Sequence, residues 1–111
     1  MKRFIAVIVV MCLLVSTIGA LDYYGFVFDE YDSGMVAEIS GTVADVMPNT
    51  QVWIVVIYTA CLIDGYYTAA PVALLYGERP RVTIGDVIEG EFIFNGTWRE
   101  DYGALPTFRE Q

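Results

Sequence analysis

The chain has 111 residues, which suffices for one domain and is too short for two. It contains 14 acidic residues, six basic residues and no histidine, for a net charge of −8. Such a surface repels phosphate backbones and anionic lipid headgroups, so the composition argues against nucleic-acid binding. Basic partners, cations and neutral ligands such as glycans stay compatible with it.

Residues 1–20 have the pattern of a secretory signal peptide. Lys2 and Arg3 precede an apolar run, Phe4–Val15, and small or weakly polar residues lead up to Ala20. The pattern predicts cleavage after Ala20 and a secreted, periplasmic or cell-surface location. Two alternatives stay open: the uncharged stretch is nearly long enough to remain as a membrane anchor, or Cys12 carries a lipid.

Cleavage after Ala20 removes 20 of the 111 residues and leaves 91, with four arginines, 14 acidic residues and a net charge of −10. Only Cys61 would then remain, so an internal disulfide is excluded. Its apolar surroundings predict a small buried core residue. An intermolecular disulfide and a reactive thiol are the alternatives, although a cysteine nucleophile is normally paired with a histidine base.

The segment 21–34 mixes aromatic and acidic residues and is expected to be an extended lead-in that packs its rings on the domain. From Met35 apolar and polar residues alternate, which predicts a first strand. Gly41 and Asp45 interrupt this alternation and predict a bend and a bulge. A turn at Pro48–Thr50 follows.

The segment 51–63 is rich in β-branched and aromatic residues, which predicts a second strand that needs cover on both faces. Asp64-Gly65 is a hairpin signal, and Pro71 in the next strand indicates an edge position or a bulge. The remaining pattern predicts a third strand over 66–76, a loop over 77–80, an extended piece over 81–84, a fourth strand over 87–95, a turn at Asn95-Gly96, a polar loop over 99–103 and a fifth strand over 104–109.

This order of strands resembles an OB-fold barrel. The resemblance is carried by Gly41-Thr42-Val43 in the first strand and by Gly85-Asp86-Val87-Ile88-Glu89-Gly90-Glu91-Phe92 before and through the fourth. It covers roughly residues 35 to 109. Many OB-folds place a helix between strands three and four, but Pro80 and Gly85 oppose a helix here. An SH3-like barrel and a short β-sandwich therefore stay open. The predicted fold is all-β, a five-stranded OB-like barrel over 35–111.

The resemblance implies a ligand-binding face. OB-folds bind ligands around strands two and three and the flanking loops. Transferred to this chain, that face would include Trp53, Tyr58, Tyr66 and Tyr67. OB domains that bind single strands also need a basic groove, which four arginines do not evidently supply.

Three other groups of residues are candidates for chemistry. Asp29, Glu30 and Asp32 could hold Ca²⁺, although their spacing does not match an EF-hand and a solvated acidic segment is the alternative. Glu89 and Glu91 share a strand face about 7 Å apart. They are interpreted as a solvated face or, alternatively, as the acid and base of a glycosidase. Asn95-Gly96-Thr97 is a glycosylation sequon that the turn equally explains.

These observations predict a non-catalytic exported binding or protein-interaction module with an unknown partner and no cofactor. The alternative is a small-ligand or calcium binder that uses the aromatic face or the acidic lead-in. The apolar surplus of the second strand would, where it stays exposed, mark a surface for a partner or for self-association. Contact with a membrane is expected only through an uncleaved signal segment.

The predicted cleavage gives a direct test. Expression of the full-length chain in its host should yield a protein whose N-terminus is Leu21, because Ala20 is the small residue next to the cut. Edman sequencing or intact-mass measurement checks this. An Ala20→Arg variant should keep the whole N-terminal segment. Recovery of the unchanged chain with Met1 or Lys2 as its first residue would favour the membrane anchor.

Overall fold

The computed structural model describes residues 21–63, 65–100 and 103–111. The predicted signal segment 1–20 and Asp64 of the predicted hairpin turn lie outside the described residues. In chain order the elements are β1 (Leu21–Asp22), α1 (Tyr23–Val27), β2 (Val36–Pro48), β3 (Trp53–Ile63), β4 (Tyr66–Tyr76), β5 (Val87–Glu100) and β6 (Gly103–Glu110). Among these residues, no helix has the length and apolar character needed to cross a membrane.

Strands β2 to β6 form a closed five-stranded barrel. The order is β3-β2-β5-β6-β4, and β4 returns to β3. Neighbouring strands are antiparallel except β4 and β6, which are parallel. The two residues of β1 pair in parallel with β3 at Cys61 and Leu62. The prediction of an all-β barrel is confirmed, and the arrangement is compatible with an OB-like fold.

The long strand β2 belongs to both sides of the barrel. Its first half pairs with β5 and its second half with β3, and the two pairings overlap at Gly41 and Thr42. A Cβ at Gly41 would lie 2.5 Å from the carbonyl oxygen of Tyr58, so only glycine permits this approach of β3. The predicted bulge at Asp45 is confirmed, since the register with β3 shifts between Val43 and Asp45.

The inner faces of the strands follow the predicted alternation. In the alternating stretches, Ala37, Ile39 and Val43 of β2 and Ile88, Phe92 and Phe94 of β5 are buried, whereas Met35, where the alternation begins, is 38% exposed. The two faces of β3 differ along its length: Val55 and Ile57 are inaccessible inside the barrel, Ile54 is buried on the other face, and Tyr58 is 50% exposed. The outer face of β3 is therefore covered at Ile54, as expected, but exposed at Tyr58. Residues 77–86 form no helix, as predicted.

Barrel closure depends on a short seam between β4 and β6. These strands pair over three residues each, Ala73–Leu75 with Thr107–Arg109. Helix α1 contacts both strands, because Tyr23 packs on Ala70 of β4 while the ring of Phe26 lies 5.1 Å from that of Phe108 in β6. Phe26 also meets Phe94 and is 3% exposed. The helix is therefore part of the barrel core.

Residues Tyr23–Val27 of the lead-in form helix α1, contrary to the expectation that the lead-in is extended. The Asp22 side chain accepts a hydrogen bond from the Gly25 N–H at 3.2 Å, which caps the helix start. Tyr23 and Phe26 are three residues apart and so lie on one helix face, which is buried. The expected packing of aromatic rings is observed for these two and for Tyr31, whose ring lies 4.7 Å from that of Phe26, whereas Phe28 is 61% exposed.

Two predicted irregular segments are part of a longer hairpin. The turn predicted at Asn95-Gly96 is wrong: Gly96, at φ +89°, lies in a bulge inside β5, where the register shifts between Phe94 and Thr97. The polar loop predicted over 99–103 is also wrong at its ends, because Arg99 pairs with Ala104 and Glu100 with Gly103. A positive φ serves a bulge as well as a turn, so the dipeptide alone does not distinguish them.

Phe26→Ala should destabilise the domain by about 3 to 5 kcal/mol, because it removes a buried ring from the barrel core. Phe28→Ala, two residues away and largely exposed, is the matched control and should change the free energy of unfolding by less than about 0.5 kcal/mol. Urea unfolding followed by tryptophan fluorescence measures both. Equal effects of the two substitutions would show that α1 does not pack into the core.

Candidate interaction surface

The hairpin of β3 and β4 projects beyond the barrel. Pairing of β3 with β2 stops at Thr59, whereas pairing of β3 with β4 continues to Ile63 and Tyr66. We call this projection, Ala60–Ile63 with Tyr66–Ala69, the ribbon. Four residues at about 3.4 Å each extend it roughly 13 Å past the last pair shared with β2.

Three of the four predicted ligand-binding residues lie on or next to the ribbon and are exposed. The exposed fractions are 50% for Tyr58, 78% for Tyr66 and 62% for Tyr67. Directly opposite residues of an antiparallel pair share a face, and the register pairs Ala60 with Ala69 and Leu62 with Tyr67. Tyr58, Ala60, Tyr67 and Ala69 therefore lie on one face, which we call the outer ribbon face. Tyr66 points to the opposite face because strand side chains alternate.

Trp53 lies apart from these tyrosines. It begins β3, ten residues before Ile63, which corresponds to about 34 Å along the strand. The guanidinium of Arg79 stands 5.2 Å from the centroid of its ring, a cation–π distance. The structure thus brings Tyr58 and Tyr67 onto one surface, with Tyr66 behind them and Trp53 at the far end of the strand.

Helix α1 covers the inner side of the ribbon at Cys61, whereas Tyr66 on the same side is exposed. Cys61 is inaccessible to solvent and packs with Tyr23 and Ala70, which confirms the prediction of a buried core cysteine. The Tyr23 hydroxyl donates to the carbonyl oxygen of Pro71 at 3.0 Å. Burial raises the pKa of the Cys61 thiol and also that of the Tyr23 hydroxyl.

The predicted metal-binding residues Asp29, Glu30 and Asp32 are all exposed. The Asp29 carboxylate forms an ion pair with Arg99 at 3.0 Å, with both side chains about half exposed. Arg99 also donates to the carbonyl oxygen of Val27. Within the described ranges, no three His, Cys, Asp or Glu side chains are grouped to hold a metal. Arg99 therefore ties the acidic segment to β5, at a free energy of less than about 1 kcal/mol for the exposed ion pair.

An acidic groove of about 220 Å³ lies outside β2 and β5, lined by Glu38, Ile39, Glu89, Gly90 and Glu91. Glu38 stands directly opposite Glu91 across the two strands, a like-charge pairing that costs stability. The strand pattern alone places Glu89 and Glu91 on one face, whereas Glu38 comes beside them only through the register of β2 with β5.

One residue of the predicted sequon Asn95-Gly96-Thr97 forms a hydrogen bond within the domain. Asn95 is exposed, whereas the Thr97 hydroxyl donates to the carbonyl oxygen of Phe26 at 2.6 Å. This hydrogen bond joins the bulge of β5 to α1.

Charge is unevenly distributed along the chain. Between Asp45 and Glu78 the sequence contains one charged residue, Asp64. This interval contains all of β3 and β4, so the outer ribbon face is neutral while the carboxylates are concentrated elsewhere. A neutral surface with exposed tyrosines on an otherwise acidic domain is typical of a docking site for an uncharged or apolar surface.

No protein-family model matches the chain, and no curated protein or solved structure matches it either. Small β-barrels host many unrelated functions, so a function has to be identified from the surface of this barrel.

Cys61 should not react with Ellman's reagent in the native protein at pH 8, because burial excludes the reagent and raises the thiol pKa above its ordinary value of 9.0. It should react completely in guanidinium chloride. The raised pKa also stabilises the native state at pH values below about 9, and this contribution is lost as the pH rises through the folded-state value. Tyr23→Ala, which uncovers Cys61, should accelerate labelling, and Phe28→Ala should not. Fast labelling of the native wild-type protein would contradict the observed packing.

Proposed function

We propose that this chain is exported and matures into a non-catalytic protein-interaction module on an OB-like barrel, with the outer ribbon face as its docking surface. The observation that carries the proposal is the exposure of two tyrosines on this neutral face of an acidic domain. Tyr58 is 50% exposed and Tyr67 is 62% exposed.

The shape of the outer ribbon face supports docking of a protein. Tyr58 and Tyr67 are separated by about 13 Å along the ribbon, and the small side chains of Ala60 and Ala69 lie between them. A partner side chain can rest on the alanines with a tyrosine ring on either side. Tyrosine provides large amphipathic contact area at low entropic cost, and it is enriched among residues that dominate binding energy.

The assignment to the OB-like class is supported by strand order. The long curved strand β2 pairs with both β3 and β5, and β4 and β6 close the barrel in parallel. An SH3-like barrel or a two-sheet sandwich accounts less well for this combination. In place of a helix between β4 and β5, α1 supplies helical cover from the N-terminal side.

The arginines argue against nucleic acid as the partner. Single-strand binding combines stacking aromatics with a basic groove. Arg79 lies over Trp53 and Arg99 pairs with Asp29, so neither lies on the ribbon. An enzymatic role has little support either, since the chain has no histidine. The calcium-binding alternative is weakened because the Asp29 carboxylate is occupied by Arg99.

The test is a capture experiment with a double variant of the outer ribbon face. Tagged full-length wild-type protein is crosslinked in its native host, and the recovered proteins are quantified by mass spectrometry. Tyr58→Ser combined with Tyr67→Ser should lower recovery of the partner at least tenfold, which corresponds to about 1.4 kcal/mol. Loss of two central tyrosines commonly costs more than this.

Tyr66→Ser is the matched control, because it removes an even more exposed tyrosine from the same ribbon but from the opposite face. Its recovery should stay within about twofold of wild type, since an exposed residue outside the contact contributes little. Equal recovery with the double variant and with wild type would refute the assignment of this face.

A further inference from the structure

One edge of the ribbon lies open. β4 pairs with β3 from Tyr66 onward, but it pairs with β6 only from Ala73. The other edge of the ribbon differs, because β1 lies along β3 at Cys61 and Leu62. In the described part of the chain, the residues of β4 before Pro71 thus have a neighbouring strand on one side only.

The direction of the free backbone groups follows from Pro71. Proline has no N–H to donate to β3, and the Pro71 carbonyl oxygen accepts a hydrogen bond from the Tyr23 hydroxyl. The backbone nitrogen and carbonyl group of Pro71 therefore point away from β3. In an antiparallel strand, the N–H and C=O of one residue point the same way and alternate along the chain. Tyr67 and Ala69 therefore also direct their N–H and C=O groups to the open edge.

This edge lacks the usual protection against strand pairing. Natural sheets blunt exposed edges with charged side chains, prolines or bulges. Pro71 blunts the end nearest the barrel, but the residues from Tyr66 to Ala70 carry no charge and pair with β3 without a register shift. A further strand would satisfy the open groups and widen the sheet.

We infer that a second copy of this chain pairs with this edge, through antiparallel β4–β4 contact about a two-fold axis at Thr68. This inference goes beyond the proposed function, since it uses the open edge of the ribbon and not the outer ribbon face. In this register Tyr67 lies opposite the second copy's Ala69, and Thr68 lies opposite the second copy's Thr68. Each Tyr67–Ala69 pair exchanges two N–H···O bonds, so every open group is used. An interface of this kind is isologous and closes at two copies.

A second copy fits this edge electrostatically and sterically. The chain has a net charge of −8, so most self-contacts would bring carboxylates together. The paired strands are neutral and avoid that repulsion. Facing threonines are a favourable cross-strand pair, and Tyr67 would lie beside a small alanine. The two outer ribbon faces would then join into one continuous surface.

Ala69→Pro is the decisive variant. The Ala69 N–H points to the open edge, so proline there removes a donor of the β4–β4 contact and leaves the bonds to β3 intact, as Pro71 already does. Protein purified from cells that express the full-length chain is measured by size-exclusion chromatography with light scattering over a dilution series. Wild type should form a dimer, and Ala69→Pro should weaken dimerisation about 30-fold or more, because one N–H···O bond is lost from each copy. Ala69→Ser keeps the donor and should dimerise within about threefold of wild type.

A disulfide trap tests the register. Thr68 facing its equivalent is a non-hydrogen-bonded pair with a Cα separation of about 4.5 Å, which is within disulfide range. Cys61 lies opposite Thr68 in β3, so it is replaced first. Cys61→Ala with Thr68→Cys should form a covalent dimer on mild oxidation. Cys61→Ala with Thr83→Cys, an exposed site in the loop after β4, should form no covalent dimer under the same oxidation.

A wild-type protein that stays monomeric throughout the dilution series, or an Ala69→Pro dimer as tight as that of Ala69→Ser, would overturn the inference. The two proposals fail separately. A monomer that still captures another protein through Tyr58 and Tyr67 refutes self-pairing and leaves the interaction module standing. A dimer that depends on the Ala69 donor, in a protein whose capture ignores the tyrosines, supports self-pairing and refutes docking at the outer ribbon face.

Discussion

Closure of the barrel rests on the short parallel seam between β4 and β6, and the other features of the domain follow from it. Three residues of each strand close the barrel there, and α1 packs on both strands, with Tyr23 on Ala70 of β4 and Phe26 against Phe94 and Phe108. Because the seam ends so early, the first half of β4 is released from the barrel and pairs with β3 alone. The ribbon and its open edge therefore follow from how the barrel closes.

The N-terminal segment has a structural role for the same reason. Tyr23 covers Cys61 and Ala70 at the base of the ribbon, while the side chains of Thr97 and Arg99 hold main-chain oxygens of α1 from β5. The buried rings of Tyr23 and Phe26 supply contacts where pairing between β4 and β6 is short. The acidic residues that follow remain at the surface, where the density of charge favours solvation. The neutral ribbon and the acidic remainder of the domain are therefore separate surfaces.

Most strands could be predicted because alternation and turn residues are local properties. The inward positions of β2 and β5, the bulge at Asp45 and the extent of β4 all follow from them. The errors occur where tertiary contacts decide between local alternatives. Gly96 permits a turn or a bulge, and the fit of β5 against β6 selects the bulge. The Asp22 cap and the spacing of Tyr23 and Phe26 permit a helix, and packing of these two rings against β4 and β6 stabilises it.

For the surface, the aromatic positions, the absence of charged residues from β3 and β4 and the acidity of the chain can all be read from the sequence. Which of these residues share a surface depends on strand pairing in the folded domain. Register placed Tyr58 and Tyr67 on one face, turned Tyr66 to the other and left Trp53 at the far end of β3. Register also placed Glu38 opposite Glu91. The physical reason is that strand pairing joins residues distant in sequence, and the length of each pairing depends on how the whole barrel closes.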